Sequence, residues 1–597
     1  MSSAVVKRIE RAQSLLRDSS LSAVVVPSSD PHLSEYLPER WQGREWLSGF
    51  TGSMGTLVVT QDHAALFADS RYWVQAEAQL EGSGIELVKI ATGSSDDHVG
   101  WLAKRIPSGA SVGVDGDVLG LSSARGMRSA FEAVGVTLRE DFDVIGSLWD
   151  ERPDLPDATV YAHEAPHAVS ARAEKLARVR EEMRGAGATH HFVSTVDDVA
   201  WILNLRGSDV TFNPVFLAHL LLSLDGATLF VADGKLGADV VDALAADGVT
   251  VAPYGMARER LAALSADAAL LVDPRRVTRG LVGDHVQARI VEAINPSTLM
   301  KSRKTAEEAE YVRAVMDEDG AAMCHFYAWF EAALGTERIT ELTVDEKLSA
   351  ERAKRPGFVG LSFATIAGYN GNGAMPHYRA LPESHAVIEG DGLLLIDSGG
   401  QYLGGTTDIT RVWPIGRITD AHRRDYTLVL KGTLNLSRTR FPRGTLSPML
   451  DALARAPLWN EHIEFGHGTG HGVGYFLNVH EGPQTISKAM PNAHMAMEPG
   501  MITSIEPGIY RPGKWGVRIE NLVLNVPSAT NEFAEFLEFE TLTMCPIDTR
   551  LVEPALLRED ERAWLDDYHA TVRERVGRLV DGEAARWLEE RTRPLGA

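Results

Sequence analysis

The stretch LLLIDSGGQYLGGTTDITRVW, Leu393–Trp413, decides how the last part of this chain folds. Asp397 ends an apolar strand pattern, and Asp408 begins the next one. The segment between them contains four glycines, enough to turn the chain back on itself. An antiparallel pairing of the two strands would therefore bring the two carboxylates close together. One Asp at a strand end is most often a turn residue, but two that flank the same turn indicate a polar site.

The same arrangement recurs in MITSIEPGIY and GVRIENLVL, which flank the turn RPGKWG. Glu506 and Glu520 each lie among apolar neighbours, and the strand period of two places Arg518 on the same face as Glu520. A surface ladder or a single buried ion pair would need cations beside the carboxylates, and Arg518 is the cation available. Four converging carboxylates raise one another's pKa unless cations neutralise them. Two divalent ions would balance this charge, so the pattern predicts a dinuclear metal site.

A glycine ribbon, FGHGTGHGVGYF at Phe465–Phe476, supplies the histidine candidates. Two histidines four residues apart are typical of zinc-binding helices, but each glycine costs a helix roughly 1 kcal/mol relative to alanine. In an extended chain, His467 and His471 lie about 13 Å apart at ~3.3 Å per residue. At most one of them is then a metal ligand, and the other serves something beside it. Four carboxylates and one imidazole form a hard donor set that favours Mn²⁺, with Co²⁺ or Zn²⁺ as substitutes.

Length and composition bound the class of protein. A chain of 597 residues is expected to form two to four domains. The net charge of −23 argues against a nucleic-acid or anionic-membrane partner. The two cysteines, Cys324 and Cys545, are too few for a disulfide framework or a thiolate metal site. The N-terminal segment lacks the apolar core of a signal peptide, and no run approaches the ~18 apolar residues of a membrane span. A cytoplasmic protein is expected.

The N-terminal half alternates between helix and strand patterns. RIERAQSLLRDSS predicts a helix, and LSAVVV and AALFAD predict strands. Periodicity is lost around residues 152–171, which we interpret as a linker. The helix ARAEKLARVREEMRGAG and the strand THHFVS then begin a second unit. The segments PSSDPHLSEYL…WLSGFTGS and VSTVDDVAWILNLRGSD echo each other, which indicates two copies of one α/β fold.

A third region opens near Met300. Thr305 and Glu308 form a capping-box pattern before a long helix, and Gly-punctuated strands follow from Gly390. The tail is helical again, with an apolar stripe that suits core packing or a subunit contact: Trp564, Leu565 and Tyr568. The predicted domains are 1–152, 153–302 and 303–597, the last with a helical extension from about residue 548 to residue 597.

Taken together, these blocks resemble the X-Pro aminopeptidases (aminopeptidase P), in particular their three-domain cytosolic form. The matching blocks are GYNGNGAMPHYRA, LLLIDSGGQYLGGTTDITRVW, GHGTGHGVGYFLNVHEGP and ITSIEPGIY…GVRIENLVL, with SDPHLSEY, WLSGFTGS, ADSRYWVQAEAQL and WILNLRGSD upstream and WLDDYHATVRERVG in the tail. The resemblance covers nearly the whole chain. It implies a mixed α/β and α+β fold, in which two creatinase-like N-terminal α/β domains precede a pita-bread metallopeptidase domain.

The resemblance also implies a role for each site residue. It makes five residues metal ligands, with Asp408 and Glu520 bridging two ions: Asp397, Asp408, His471, Glu506 and Glu520. A metal-bridging hydroxide would then attack the X-Pro bond, with Glu506 as proton shuttle. His377 and His480 would stabilise the oxyanion and the proline side, and His467 and Arg518 would contact substrate. Arg71 could reach the site or form a structural ion pair, and these alternatives stay open.

Two other functions compete with release of the first residue from X-Pro peptides. Prolidase uses the same ligands but cuts only dipeptides, and its chains lack one of the N-terminal domains present here. A non-catalytic pita-bread binding module would have lost ligands, whereas all five are present. The resemblance and the Trp564 stripe predict a homodimer that acts on peptides and binds neither nucleic acid nor membranes.

Overall fold

The computed structural model describes residues 2–91 and 96–596. They form two compact units, and the second begins at Thr298 and also includes Ala165–Val169. No helix within the described ranges is long and apolar enough to cross a membrane.

The first unit contains two six-stranded sheets, each built from one half of it. The first half has the helices α1 (Ser2–Asp18), α2 (Gly43–Ser48), α3 (Trp73–Gln79), α4 (Asp97–Ala103), α5 (Leu121–Glu132) and α6 (Val144–Leu148). Its strands are β1 (Ala23–Pro27), β2 (Thr56–Thr60), β3 (Ala64–Asp69), β4 (Glu86–Ile90), β5 (Ser111–Val114) and β6 (Thr137–Arg139). The sheet order is β4-β3-β2-β1-β5-β6.

The second half repeats this plan. Its helices are α7 (Arg172–Gly185), α8 (Val196–Leu203), α9 (Ala238–Ala246) and α10 (Ala257–Ala262). Its strands are β7 (Tyr161–Ala162), β8 (His190–Val193), β9 (Leu205–Arg206), β10 (Ala218–Ser223), β11 (Ala227–Val231), β12 (Val249–Pro253), β13 (Ala269–Val272) and β14 (Arg289–Glu292). Its main sheet runs β12-β11-β10-β8-β13-β14, and α11 (Pro296–Ser302) follows.

The two sheets agree in strand direction as well as in order. In the first sheet, β1 is antiparallel to β2 and parallel to β5. In the second, β8 is antiparallel to β10 and parallel to β13. In both sheets the outermost pairs are parallel. The prediction of two copies of one α/β fold is confirmed.

The second unit surrounds a long buried helix. Its helices are α12 (Ala306–Ala333), α13 (Glu341–Arg352), α14 (Asp420–Ser437), α15 (Asp451–Trp459), α16 (Glu559–Val576) and α17 (Gly582–Arg591). The predicted capping box starts α12, because the Thr305 hydroxyl accepts from the Glu308 N–H (3.1 Å) and the Glu308 carboxylate accepts from the Thr305 N–H (2.8 Å). On α12, Tyr327 stacks against Trp413 with ring centroids 4.0 Å apart, deep in the core.

The strands of this unit carry the polar residues singled out above. They are β15 (Phe358–Leu361), β16 (Ile366–Tyr369), β17 (Gly392–Ser398), β18 (Gly400–Tyr402), β19 (Gly405–Thr406), β20 (Ile409–Ile415), β21 (Arg440–Pro442), β22 (Gly470–Gly472), β23 (Glu481–Ile486), β24 (Ile502–Ile505), β25 (Gly508–Arg511), β26 (Trp515–Arg518), β27 (Asn521–Thr530) and β28 (Glu535–Thr541). The largest sheet runs β21-β28-β27-β24-β22-β23, and a separate sheet runs β16-β17-β20.

The apolar stripe of the tail packs into the core of this unit. Leu565 and Tyr568 on α16 are buried, and Trp564 stacks on Tyr568 with ring centroids 5.4 Å apart. Of the two interpretations of this stripe, core packing is therefore the one that the structure supports. Leu565 and Tyr568 belong to the hydrophobic core beneath α16, and Trp564 packs against it while partly buried.

Candidate metal centre

The two aspartates meet across an antiparallel strand pair. Strand β17 pairs with β20, and Asp397 lies opposite Thr410 in the register. Asp408 directly precedes β20. The glycine-rich turn between the strands is itself structured, because β18 and β19 pair with each other inside it. The sequence thus predicts the approach of the two carboxylates, although not the small hairpin within the turn.

The two glutamates lie opposite each other where a second strand pair is interrupted. Before the interruption Ile505 pairs with Asn521, and beyond it Gly508 pairs with Arg518. Glu506 and Glu520 fall in the gap on either side. The Glu520 N–H donates to the Thr410 carbonyl (3.1 Å), which joins this strand pair to the aspartate-bearing pair. All four carboxylates therefore face one region of the unit.

The glycine ribbon passes through the same region as an extended chain. Its central part is β22, which lies between β23 and β24. A Cβ atom at Gly470 would overlap the carbonyl oxygen of Ser504, so glycine is required for this close approach. The extended conformation predicted for the ribbon is confirmed for Gly470–Gly472.

His471 points from the ribbon at the carboxylates. Its Nε2 lies 3.5 Å from Asp408 Oδ2 and 3.5 Å from Glu506 Oε1. Its Nδ1 donates to the Gly472 carbonyl at 3.0 Å. A backbone carbonyl that holds the Nδ1 proton leaves the Nε2 lone pair for a metal ion, the usual arrangement for ligating histidines.

The ligand atoms are close enough to share a metal ion. One ligand atom from each of Asp408, His471 and Glu520 lies within 4.8 Å of the other two. Asp397 lies at the edge of this triad, where its Oδ2 accepts from Arg518 Nη2 at 2.5 Å. The other Asp397 oxygen, Oδ1, is buried without a hydrogen-bond partner in the described structure. An unpartnered buried carboxylate oxygen beside the triad of Asp408, His471 and Glu520 fits a bound cation.

The electrostatics of the protein groups alone favour a bound cation as well. Burial raises the pKa of Asp397 to about 7, and repulsion from Asp408 and Glu506 adds to this shift while Arg518 opposes it. Burial also raises the pKa of Glu506 and, well above its usual range, that of Glu520. Burial lowers the pKa of His471, but Asp408 and Glu506 outweigh it and raise that pKa to about 9. Divalent ions would displace these protons and restore the charged carboxylates.

The second ribbon histidine has a different set of partners. His467 Nδ1 donates to the Gly468 carbonyl at 2.7 Å, so its Nε2 accepts from the Tyr510 hydroxyl at 2.7 Å. Its Nδ1 lies 4.0 Å from Glu506 Oε2. Glu506 therefore has a histidine near each oxygen, and the His467 nitrogens both already hold protein partners.

His480 and His377 lie beside this cluster. The His480 ring stands edge-on to that of His471, with centroids 4.3 Å apart. His377 is half-buried and follows Pro376, whose carbonyl accepts from Arg518 Nη2 at 3.4 Å. Arg518 thus contacts both a carboxylate and the segment that carries His377. Neither histidine belongs to the triad of Asp408, His471 and Glu520 whose ligand atoms could share a metal ion.

Three polar residues that the sequence analysis missed support the site. The Thr410 hydroxyl donates to Glu520 Oε2 (2.7 Å) and accepts from Arg518 Nε (3.1 Å), which confirms that Arg518 and Glu520 share a face. The Tyr510 hydroxyl accepts from Arg518 Nη1 at 2.7 Å. The third, Arg411, is a buried guanidinium in an otherwise apolar strand. A charged residue at an apolar strand position was the only sequence signal for it.

Arg411 ties the site to the C-terminal tail. Its nitrogens donate to the backbone carbonyls of Glu520 (2.6 Å), Cys545 (2.8 Å) and Pro546 (3.0 Å), and to the Tyr568 hydroxyl (3.0 Å). No ion pair with a carboxylate is found for Arg411 within residues 2–91 and 96–596. The tail is therefore bound to the backbone of Glu520 through a buried cation.

Arg71, whose role stayed open, forms an ion pair. Its Nε and Nη2 donate to the two oxygens of Asp69 at 2.8 and 2.7 Å. The structural alternative is thus realised within the first unit.

Comparisons with known proteins agree with this geometry. Residues 310–526 match the model of metallopeptidase family M24, and residues 535–595 match the C-terminal region of peptidase M24. Residues 8–140 and 151–308 each match a creatinase/prolidase N-terminal domain. Two similar proteins are named probable Xaa-Pro aminopeptidase P. The one from Laccaria bicolor is 38% identical over 99% of this chain and 93% of its own length, and the one from Ajellomyces dermatitidis is 36% identical over 99% of both.

One solved structure matches the chain along its whole length. The X-prolyl aminopeptidase of Caenorhabditis elegans, described as a cytosolic enzyme with a di-nuclear active site, superimposes with a TM-score of 0.93. It is 30% identical, and the match covers 99% of both chains.

Proposed function

Since this chain belongs to the Xaa-Pro aminopeptidase P family of metallopeptidases, we propose that it releases the first residue of peptides with proline in the second position. The observation that carries this proposal is the cluster of Asp408, His471 and Glu520, with Glu506 and Asp397 beside it. The fold itself, two creatinase N-terminal domains and an M24 domain, is that of the family. The chain is therefore an enzyme rather than a non-catalytic binding module.

The full-length matches favour an aminopeptidase over prolidase. Both creatinase-like domains are present, and the similar Xaa-Pro aminopeptidases P align over nearly their whole length. Prolidase, by contrast, was expected to lack one of these domains.

We propose five metal ligands: Asp397, Asp408, His471, Glu506 and Glu520. The buried, unpartnered Oδ1 of Asp397 and the lone pair left on His471 Nε2 support this set. The hard donor set supports two Mn²⁺ ions, with Co²⁺ or Zn²⁺ as substitutes. When bound, such ions would lower the pKa of an attacking water and polarise the scissile carbonyl.

The side chains around the ligands can move protons and hold the substrate. We propose that Glu506, whose Oε1 lies 3.5 Å from His471 Nε2, takes a proton from water and passes it to the proline nitrogen. We propose that His480, whose ring contacts that of His471, and His377, which follows the Pro376 carbonyl bound by Arg518, donate to the developing oxyanion. We assign His467 and Arg518 to substrate binding. The X-Pro bond has no N–H, so selection depends on the shape of the proline pocket rather than on a backbone donor.

A comparison of substrate lengths tests this function. We expect the manganese-loaded protein to release the first residue from X-Pro-Pro and longer X-Pro peptides, and to leave peptides without proline at position two uncut. Product release is measured by chromatography, with X-Pro dipeptides as the matched substrates. Cleavage confined to dipeptides would identify a prolidase instead.

We also propose that the protein is a cytoplasmic homodimer. The location is supported by the similar Caenorhabditis elegans enzyme, which is described as cytosolic. Leu565 and Tyr568 of the Trp564 stripe are buried in the core of one chain, so exposed apolar residues elsewhere are better candidates for the contact between subunits. Met449 and Leu453, four residues apart in the second unit, are 65% and 38% exposed. We expect light scattering to give twice the chain mass and M449E/L453E to halve it; a monomeric wild-type protein would contradict the dimer.

A further inference from the structure

Two buried lysines hold a buried glutamate next to His480. Lys304 Nζ lies 2.8 Å from Glu481 Oε1, and Lys301 Nζ lies 3.0 Å from Glu481 Oε2. All three side chains are at most 3% exposed. We call this group of Lys301, Lys304 and Glu481 the lysine clamp.

The clamp is poorly explained by stability alone. Two ammonium groups and one carboxylate leave an excess of one positive charge within the group. Taking each ion out of water is costly, and buried ion pairs often stabilise a fold less than apolar residues of similar size would. Buried ion pairs that fix a conformation are better attested as devices of specificity. The segments next to the lysine clamp should therefore show which part of the structure it holds in place.

Glu481 stands at the junction between the ribbon and the His480 segment. It is the first residue of β23 and pairs with Gly472, the residue after His471. His480 directly precedes it, and the His480 ring meets the His471 ring edge-on. Fixing the Glu481 side chain therefore fixes the backbone from which His480 projects.

The loop that leads to His480 closes tightly over the clamp. The Gly474 N–H donates to the Asn478 carbonyl at 2.9 Å. A Cβ at Gly474 would lie 3.1 Å from Glu481 Oε2 and 2.8 Å from the Asn478 carbonyl oxygen. A glycine of the ribbon is thus needed to admit the Glu481 carboxylate beneath the loop.

The lysines come from the segment that enters the second unit. Lys301 lies on α11, and Lys304 directly precedes the N-cap of α12, where its N–H donates to the Gly500 carbonyl at 2.9 Å. The start of α12 is thus anchored by its capping box and by the clamp. It forms a rigid base against which the His480 segment is held.

We propose that the lysine clamp is a positioning device that sets His480 at the distance from His471 required for the substrate carbonyl. This inference rests on the proposed function, since it concerns the placement of a group in that site. Glu481, Lys301 and Lys304 act through His480 and do not touch the substrate.

Glu481→Gln tests the clamp, because the amide keeps the shape but loses the charge that holds both lysines. We expect kcat for an X-Pro-Pro peptide to fall roughly 10- to 100-fold, as a small displacement of a positioned group can cost this much. The KM and the metal content should stay near wild-type values. Lys304→Met, which keeps the Lys301 contact, should lower kcat in the same direction and serves if Glu481→Gln folds poorly.

Glu561→Gln is the matched control. Glu561 is also a buried carboxylate paired with a lysine of the same unit, Lys431, at 2.7 Å, but it lies on α16 and not beside His480. We expect this variant to lose thermal stability and keep its kcat. A kcat unchanged in both clamp variants, or lost equally in the control, would overturn the proposal.

A double-mutant cycle with His480→Ala separates positioning from general damage. If the clamp acts through His480, Glu481→Gln should cause no further loss of kcat in the His480→Ala background. Losses that multiply, or a reduced metal content in Glu481→Gln, would show that the clamp acts elsewhere. A wild-type protein that fails to cut X-Pro peptides would refute the proposed function before any variant is compared.

Discussion

Replacing His471 with alanine should remove bound metal and reduce hydrolysis of X-Pro peptides by more than about 100-fold, the upper range seen when residues that only support a metal ligand are changed. The expectation follows from the His471 ring. Its Nδ1 proton is held by the Gly472 carbonyl, and its Nε2 faces Asp408 and Glu506 at equal distances of 3.5 Å. No other imidazole is part of the triad found in the described structure.

His467→Ala is the matched control for this experiment, since it removes the same group from the same ribbon. Both His467 nitrogens have protein partners, the Gly468 carbonyl and the Tyr510 hydroxyl. We therefore expect this variant to keep its bound metal and to lose activity because it binds the substrate more weakly. Two measurements on both variants, the metal content by plasma mass spectrometry and kcat/KM, decide which histidine is the metal ligand. Full metal content in His471→Ala, or metal loss in His467→Ala alone, would reverse the assignment of the two histidines.

Exhaustive chelation should abolish the activity, and Mn²⁺ should restore it with release of protons. The protons come from groups that the metal-free site holds protonated. Burial and mutual repulsion raise the pKa of Asp397 to about 7 and also raise the pKa values of Glu506 and Glu520. The neighbouring carboxylates raise the pKa of His471 to about 9. A metal ion must displace protons held with these raised pKa values. Its affinity should therefore fall as the pH drops from 9 through 7 and below. At higher pH fewer protons remain on the ligands, so the metal ion has fewer to displace and binds more tightly.

Titration of Mn²⁺ into the chelated protein, in buffers of different ionisation enthalpy, measures the proton release. The same samples give the stability change, because a ligand present at 100 times its dissociation constant adds about 2.7 kcal/mol to the free energy of unfolding. An apo protein that retains full activity would refute metal-dependent catalysis. Binding without proton release at pH 7 would show that the carboxylates are already ionised.

The parts of the site that the sequence predicts are those set by local patterns. Asp397 and Asp408 flank a turn, and Glu506 and Glu520 lie in strands that flank another, so strand periodicity alone indicates that they approach in pairs. The capping box at Thr305 and the repeated α/β sheet are also read from neighbouring residues. The family resemblance was needed to choose His471 over His467. The spacing of the two histidines in an extended chain shows only that both cannot bind the same metal ion.

The contacts that sequence patterns did not predict are those between distant segments. Tyr510 meets His467 across 43 residues, and Lys304 meets Glu481 across 177. Each of these residues is ordinary in its own segment and acquires a role only when the strands are assembled. The Trp564 stripe shows the same limit, because an apolar helix face does not reveal whether a core or a second subunit covers it.

The bonds of Arg411 have a consequence for how the chain is made. Ribosomes synthesise proteins from the N-terminus, and domains generally fold as units in that order. The two α/β sheets can therefore form early, whereas the partners of Arg411 at Cys545, Pro546 and Tyr568 emerge only after the strands that carry the carboxylates. A nascent chain stopped before them would hold Glu520 on a backbone that lacks its anchor. Catalytic competence should then be acquired only after Tyr568 has emerged, so a messenger truncated before Cys545 would yield folded N-terminal domains and no active hydrolase.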